Sequence, residues 1–164
     1  MQKAVSRVDY LLDELLLQKW MKLSTDRPFI KEGRFPGVYL LAFTPKNLEG
    51  RKLNLVDVFY VGMSNARRGV DGRLKKFADA IEGKPAKHVA GKRFFKKWCK
   101  GIPYSQLPCD KQFFVTGIPV PCQVKKAKRG PEDLRKMGTV AALEYYVLAA
   151  AKEKTGSEPR LNRK

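Results

Sequence analysis

The chain has 164 residues, with 34 Lys plus Arg against 16 Asp plus Glu, a formal charge of +18. That length argues for one domain with a short extension and against two full domains. With 43% hydrophobic and 10% aromatic residues it can bury a core, which excludes wholesale disorder. The charge points to a polyanionic partner: DNA, RNA or an acidic membrane surface. No run of eighteen apolar residues offers a membrane span, and Asp9, Asp13 and Glu14 interrupt any signal-peptide core. Cys99, Cys109 and Cys122 are odd in number and widely spaced, and form no Cys-x-x-Cys pair. They read as reduced thiols, and the expected location is cytoplasmic, in an intracellular protein of bacterial or phage type. Together with His88, the only histidine, their spacings of 10 and 13 are not those of a zinc finger.

Taken in order, residues 3–23 predict an amphipathic helix, with Val5, Val8, Leu11, Leu12, Leu15, Leu16 and Met21 near helical spacing. A loop with Asp26, Pro28, Gly33 and Pro36 follows. Residues 37–44 (GVYLLAFT) and 55–62 (LVDVFYVG) read as strands joined by a polar turn, an antiparallel hairpin. Residues 73–82 predict a helix with Leu74, Phe77 and Ile81 on one face, stopped by Gly83 and Pro85. Residues 91–100 predict a shorter one. A third strand is expected at 112–116, extended past a bulge through 118–124, where Pro119 and Pro121 imply an edge or a non-strand segment. Residues 125–136 read as a basic, turn-rich insertion, and 139–155 as the strongest helix, ended by Gly156. The expected fold is α+β, a small three-stranded antiparallel sheet flanked by helices with an extra N-terminal helix. The expected division is 1–35 as helix and linker and 36–164 as one domain, with a basic insertion at 123–138.

Basic residues cluster. Between 84 and 100 there are seven Lys or Arg and no acid, interleaved with Phe94, Phe95 and Trp98. Lysines beside an apolar face can track a phosphate backbone, while the aromatics read as core more readily than as base-stacking groups. The expected nucleic-acid contacts are Arg67, Arg68, Lys76, Lys87, Lys92, Arg93, Lys96, Lys97, Lys125, Lys126, Lys128 and Arg129. From residue 139 to 151 the only charge is Glu144. A carboxylate in so apolar a helix stands at its exposed edge or needs a partner. That partner is either a lysine or arginine, or a hard divalent cation that keeps waters and substrate phosphate.

The hairpin reads Gly37-Val38-Tyr39, twenty residues, then Tyr60-Val61-Gly62. The two triplets on paired strands resemble the signature of the GIY-YIG nuclease family. Arg73 in GRLKKF matches the family's Arg on the following helix, Glu144 its Glu on a later helix, and Asn162 in PRLN its Asn near the domain end. The resemblance covers about residues 36–162. It implies phosphodiester hydrolysis with one divalent ion, Mg²⁺ or Mn²⁺, per active site, held by Glu144. It further implies that Tyr39 accepts a proton from the attacking water and Tyr60 orients the water or phosphate. Arg73 would clamp the phosphate, and Asn162 would complete the site through amide hydrogen bonds.

Two positions depart from the family. Phe77 stands where many members carry His or Tyr, one helical turn after the Arg, and Met63 stands where many carry Lys. His88 either supplies the missing group or is a structural or phosphate-contacting residue. Arg67, Arg68, Lys75 or Lys76 could supply the missing charge. The expected partner is DNA, double-stranded in preference, with RNA also open. The helix at 3–23 either packs on its own domain or forms a homodimer. Two functions follow: a metal-dependent endodeoxyribonuclease, or a basic nucleic-acid-binding protein on a weak or inactive nuclease fold.

Overall fold

A computed structural model describes residues 6–24 and 29–163. The expectations that involve Lys3, Val5, Asp26, Pro28 and Lys164 lie outside the described residues. Helix α1 (Arg7–Leu16) begins at Ser6, whose hydroxyl accepts the Asp9 N–H at 3.1 Å, satisfying an orphan donor of the first turn. It is shorter than its apolar spacing predicts. The backbone after Leu17 pairs instead with the loop around residue 51: Leu53 N–H donates to Gln18 O at 2.8 Å and Trp20 N–H to Arg51 O at 2.9 Å. Met21–Lys22 then forms strand β1.

The sheet has four strands rather than the expected three, all antiparallel, in the order β1-β4-β2-β3. The additional one is β1, whose two residues are too few to show an alternation. The hairpin is present as β2 (Gly37–Thr44) and β3 (Tyr60–Ser64). Its second strand starts later than expected, because the Asn54 carboxamide accepts the Val56 N–H and Leu55–Asp57 makes a 3-10 turn. Strand β4 (Gln112–Pro119) runs the full length of β2 without a bulge. It is interior, not an edge. Pro119 is tolerated because it stands at the last position, beyond the reach of β1, which pairs only with Phe114 and Val115.

Helices cover both faces, which explains why Val38 to Ala42 are all buried rather than alternating. Tyr39 and Leu41 face α2 (Gly69–Ile81) and α3 (Val89–Lys97), in a cluster with Leu74, Phe77, Phe94 and Phe113. Val38 and Leu40 face α1 and α4 (Pro131–Thr155), in a cluster with Leu15, Phe114, Leu143 and Val147. Val8, Leu11, Leu12 and Leu16 of α1 pack on this second cluster, so its apolar face is taken up within the chain. Helix α4 begins eight residues before the expected start. Pro131 is at its first position, where its fixed φ suits a helix, and Asp133 accepts the Gly130 N–H at 2.9 Å. The second half of the expected insertion is therefore helical.

Strand β3 is the free edge beside the two triplets. The C-terminal 3-10 turn Arg160–Asn162 lies along it, with Leu161 N–H donating to Phe59 O at 2.9 Å. Asn162 continues the pairing with its side chain: Val61 N–H donates to Oδ1 at 2.8 Å, and Nδ2 donates to Val61 O at 2.9 Å. Covering an edge in this way satisfies backbone groups that would otherwise invite another strand.

Candidate active site

The register places Tyr39 between two glycines, Gly62 on β3 and Gly117 on β4. A Cβ at Gly62 would lie 2.4 Å from Tyr39 Cζ and 2.5 Å from its hydroxyl. The glycine of the second triplet therefore makes room for the tyrosine of the first. Tyr39 has no exposed surface. Burial holds its phenol well above the ordinary tyrosine range, with the Tyr60 hydroxyl adding to the effect and Arg73 opposing it.

His88 caps α3 and is also fully buried. Its Nδ1 accepts the Gly91 N–H at 3.1 Å, and its Nε2 lies 3.0 Å from the Tyr39 hydroxyl. Burial, then the Arg73 charge, push its pKa down to about 3, so the ring is neutral near pH 7. A neutral imidazole that accepts at Nδ1 carries its proton at Nε2, so His88 donates to the Tyr39 oxygen. Phe77 packs edge-to-face on this ring at 5.2 Å. Phe77 on α2 thus supports a histidine delivered by the start of α3.

Tyr60 is the half-buried phenol of the pair, its ring 6.1 Å from that of Tyr39. Burial raises its pKa most. Arg73 opposes that, Glu144 adds to it, and hydrogen bonding with Tyr39 and the charge of Arg93 oppose it further. Charges carried by α2, α3 and α4 therefore act on one phenol at the sheet edge. Arg73 is steadied by donating from Nη1 to Lys87 O at 3.0 Å, one residue before His88.

Glu144 is half-buried; burial raises its pKa and Arg73 opposes the rise. Among the described residues no lysine or arginine forms an ion pair with it. Of the basic partners considered from the sequence, Arg73 acts on Glu144 through its charge without a direct ion pair. Among the described residues there is also no group of three or more His, Cys, Asp and Glu that could hold a metal, and the three cysteines are free. A single, partly accessible, unpaired carboxylate fits a hard cation that keeps waters and takes substrate oxygens. It does not fit zinc.

Two residues gain a specific placement. The Asn162 amide hydrogen bonds, expected to complete the site, both go to the Val61 peptide, so they position β3 beside Tyr60. Arg93, expected only as a surface contact, is partly buried. Its Nη2 donates to Leu161 O, its Nε is buried without a partner, and its charge acts on Tyr60. The sequence carried no signal for this, since Arg93 is one of several cations on α3.

The remaining basic residues divide by distance. Arg67, Arg68 and Lys76 are exposed and line a cavity of about 670 Å³ with Arg73 and Lys75. Asp71 and Asp79 share that lining. Lys87, Lys92, Lys96 and Lys97 are exposed on and before α3. Lys125, Lys126 and Lys128 are exposed, while Arg129 is partly buried with its Nη1 4.0 Å from Met137 Sδ. This last group precedes α4, roughly 20 Å of helix rise from Glu144, so the fold does not gather it at the site. Phe94 is buried in the core, and Phe95 and Trp98 pack against it.

No protein-family model, no curated protein and no solved structure matches this chain.

Proposed function

We propose that this chain is a divalent-metal-dependent endonuclease that hydrolyses phosphodiester bonds in DNA, as the GIY-YIG resemblance implies. The observation that supports the reading most is the buried Tyr39–His88 pair, 3.0 Å apart, whose Tyr39 ring lies 6.1 Å from that of the partly exposed Tyr60, on which the charges of Arg73, Glu144 and Arg93 act. Two cations and one unpaired carboxylate beside a partly exposed phenol suit an anionic substrate and a proton acceptor.

Glu144 would hold the ion, Mg²⁺ or Mn²⁺, which when bound supplies charge neutralisation at the scissile phosphate and the leaving oxygen. Arg73 clamps the phosphate and stabilises the charge that develops in the transition state. The proton acceptor is assigned to Tyr60 instead of Tyr39, because Tyr39 has no exposed surface with which to meet water. Tyr60 would act as the base in its phenolate form, its own proton having first passed to solvent; Arg73, Arg93 and a hydrogen bond donated by Tyr39 favour that form against burial, and His88 donates to the Tyr39 oxygen behind it. His88 is thereby a positioning and polarising donor, not the base.

The test is supercoiled plasmid with Mg²⁺ or Mn²⁺. The wild-type chain nicks or linearises the plasmid, whereas Glu144→Ala abolishes cleavage and leaves metal-free DNA binding nearly intact. Cleavage that survives Glu144→Ala refutes the metal assignment. Intact binding without cleavage by the wild-type chain establishes the second reading, a nucleic-acid-binding protein on an inactive nuclease-like fold.

A further inference from the structure

We propose that the groove between α3 and the 3-10 turn Arg160–Asn162 is a second anion subsite, which binds the backbone phosphates of the DNA strand flanking the scissile bond. It rests on the nuclease reading for the identity of the strand, and on its own geometry for everything else. The groove is a cavity of about 380 Å³ lined by Arg93, Lys97, Trp98, Arg160, Leu161 and Arg163. Four of the six are cations and none is an acid. Among the described residues none of the four has an ion-pair partner. On a chain that already carries +18, four like charges around one small cavity repel one another, and an anion in the groove relieves the repulsion.

The groove is built rather than incidental. The Arg160 guanidinium stacks 4.5 Å above the Trp98 ring, and Trp98 is held in turn by Phe94 and Phe59. Stacking fixes the plane of a guanidinium and leaves its in-plane N–H donors free for phosphate oxygens. The floor is tied to the active site through the β3 edge, because Leu161 N–H donates to Phe59 O and the Asn162 amide clasps Val61. Arg93 links the two: it donates to Leu161 O in the groove, and its charge also acts on Tyr60. A strand whose scissile phosphate lies at Arg73 and Tyr60 therefore continues over Arg93 into the groove. The C-terminal residues Arg160 and Arg163 become substrate contacts.

The test uses the full chain and a fluorescently labelled short DNA duplex in EDTA, so that binding is read without cleavage. Lys97 and Arg163 are exposed, and the variant Lys97→Ala/Arg163→Ala should melt at the wild-type temperature. Its affinity should fall about tenfold at low salt, and the slope of log affinity against log salt should drop by roughly 2, near 0.9 for each lost phosphate contact. As a second readout, a short thymidine oligonucleotide should change tryptophan emission in the wild-type chain, and Trp98→Phe should remove that change. An unchanged salt slope, or an emission change that survives Trp98→Phe, overturns the subsite. If the slope falls while plasmid remains uncut, the groove stands and the nuclease reading fails. If plasmid is cut and the slope is unchanged, the nuclease reading stands and the groove fails.

Discussion

His88 Nε2 stands 3.0 Å from the Tyr39 hydroxyl, and the Gly91 N–H on Nδ1 decides which of the two is the donor. The helix that His88 caps therefore sets the proton position of the buried Tyr39–His88 pair. His88→Ala removes the donor behind Tyr39 and should slow plasmid cleavage at saturating DNA by roughly tenfold or more, with little change in DNA affinity. Single-turnover nicking together with metal-free binding measures both. A variant with near-normal rate would return His88 to a purely capping role.

The same residue makes stability depend on pH. The folded ring titrates at about 3, against about 6.5 for a histidine in the unfolded chain. Between those values the unfolded chain binds more protons, so stability rises with pH and is lost as pH falls from about 6.5 towards 3, by up to roughly 1.4 kcal/mol for each pH step. Asp71 and Glu144, whose pKa values burial raises, pull the other way at lower pH. The window for His88 therefore opens near pH 6.5 and runs downward until those carboxyls begin to protonate. Denaturant unfolding across it should show the fall in the wild-type chain and a flatter profile in His88→Gln.

Gly62→Ala tests the packing between the two triplets. The added Cβ would overlap the Tyr39 ring, which lies within 2.4 Å of that position and is hemmed in on its other neighbour by β4. Overpacking of this kind costs about 1–3 kcal/mol, and displacing Tyr39 breaks its contact with His88. The melting temperature and the cleavage rate should fall together. Wild-type cleavage in a destabilised Gly62→Ala would show that the placement of Tyr39 does not matter for the chemistry.

Asn162→Ala separates positioning from substrate contact. It removes two hydrogen bonds to Val61, at a cost of about 1–3 kcal/mol. Cleavage should fall because Tyr60 is adjacent, while metal-free DNA binding should be retained. Asn162→Asp keeps the acceptor for Val61 N–H and loses the donor to Val61 O, so it should melt between the two. If instead Asn162→Ala melts normally but binds DNA poorly, the amide faces substrate.

Much of the fold was legible locally. The apolar stripe Leu74, Phe77 and Ile81 marked α2, and the run Gly37 to Thr44 marked β2. Gly156 marked the end of α4, where it adopts a left-handed φ of 85° that glycine tolerates without strain. The two triplets, Arg73 and Glu144 were legible as one set, and the fold brings them together. Strand β1 was not legible, because two residues have no period. The helical start of α4 was hidden inside basic residues that read as a turn.

The sequence by itself determined which segments are helical or extended and which faces they bury, since those follow from the sterics and hydrophobic spacing of neighbouring residues. Only the tertiary structure decided that His88 meets Tyr39 across 49 residues, that Asn162 clasps Val61 across 101, and that Arg93 reaches the Leu161 carbonyl across 68. These pairings depend on sheet register and on how α3 and the C-terminal turn dock against the edge of β3. No periodicity in the chain encodes that docking, because it is set by packing between segments that are distant in sequence.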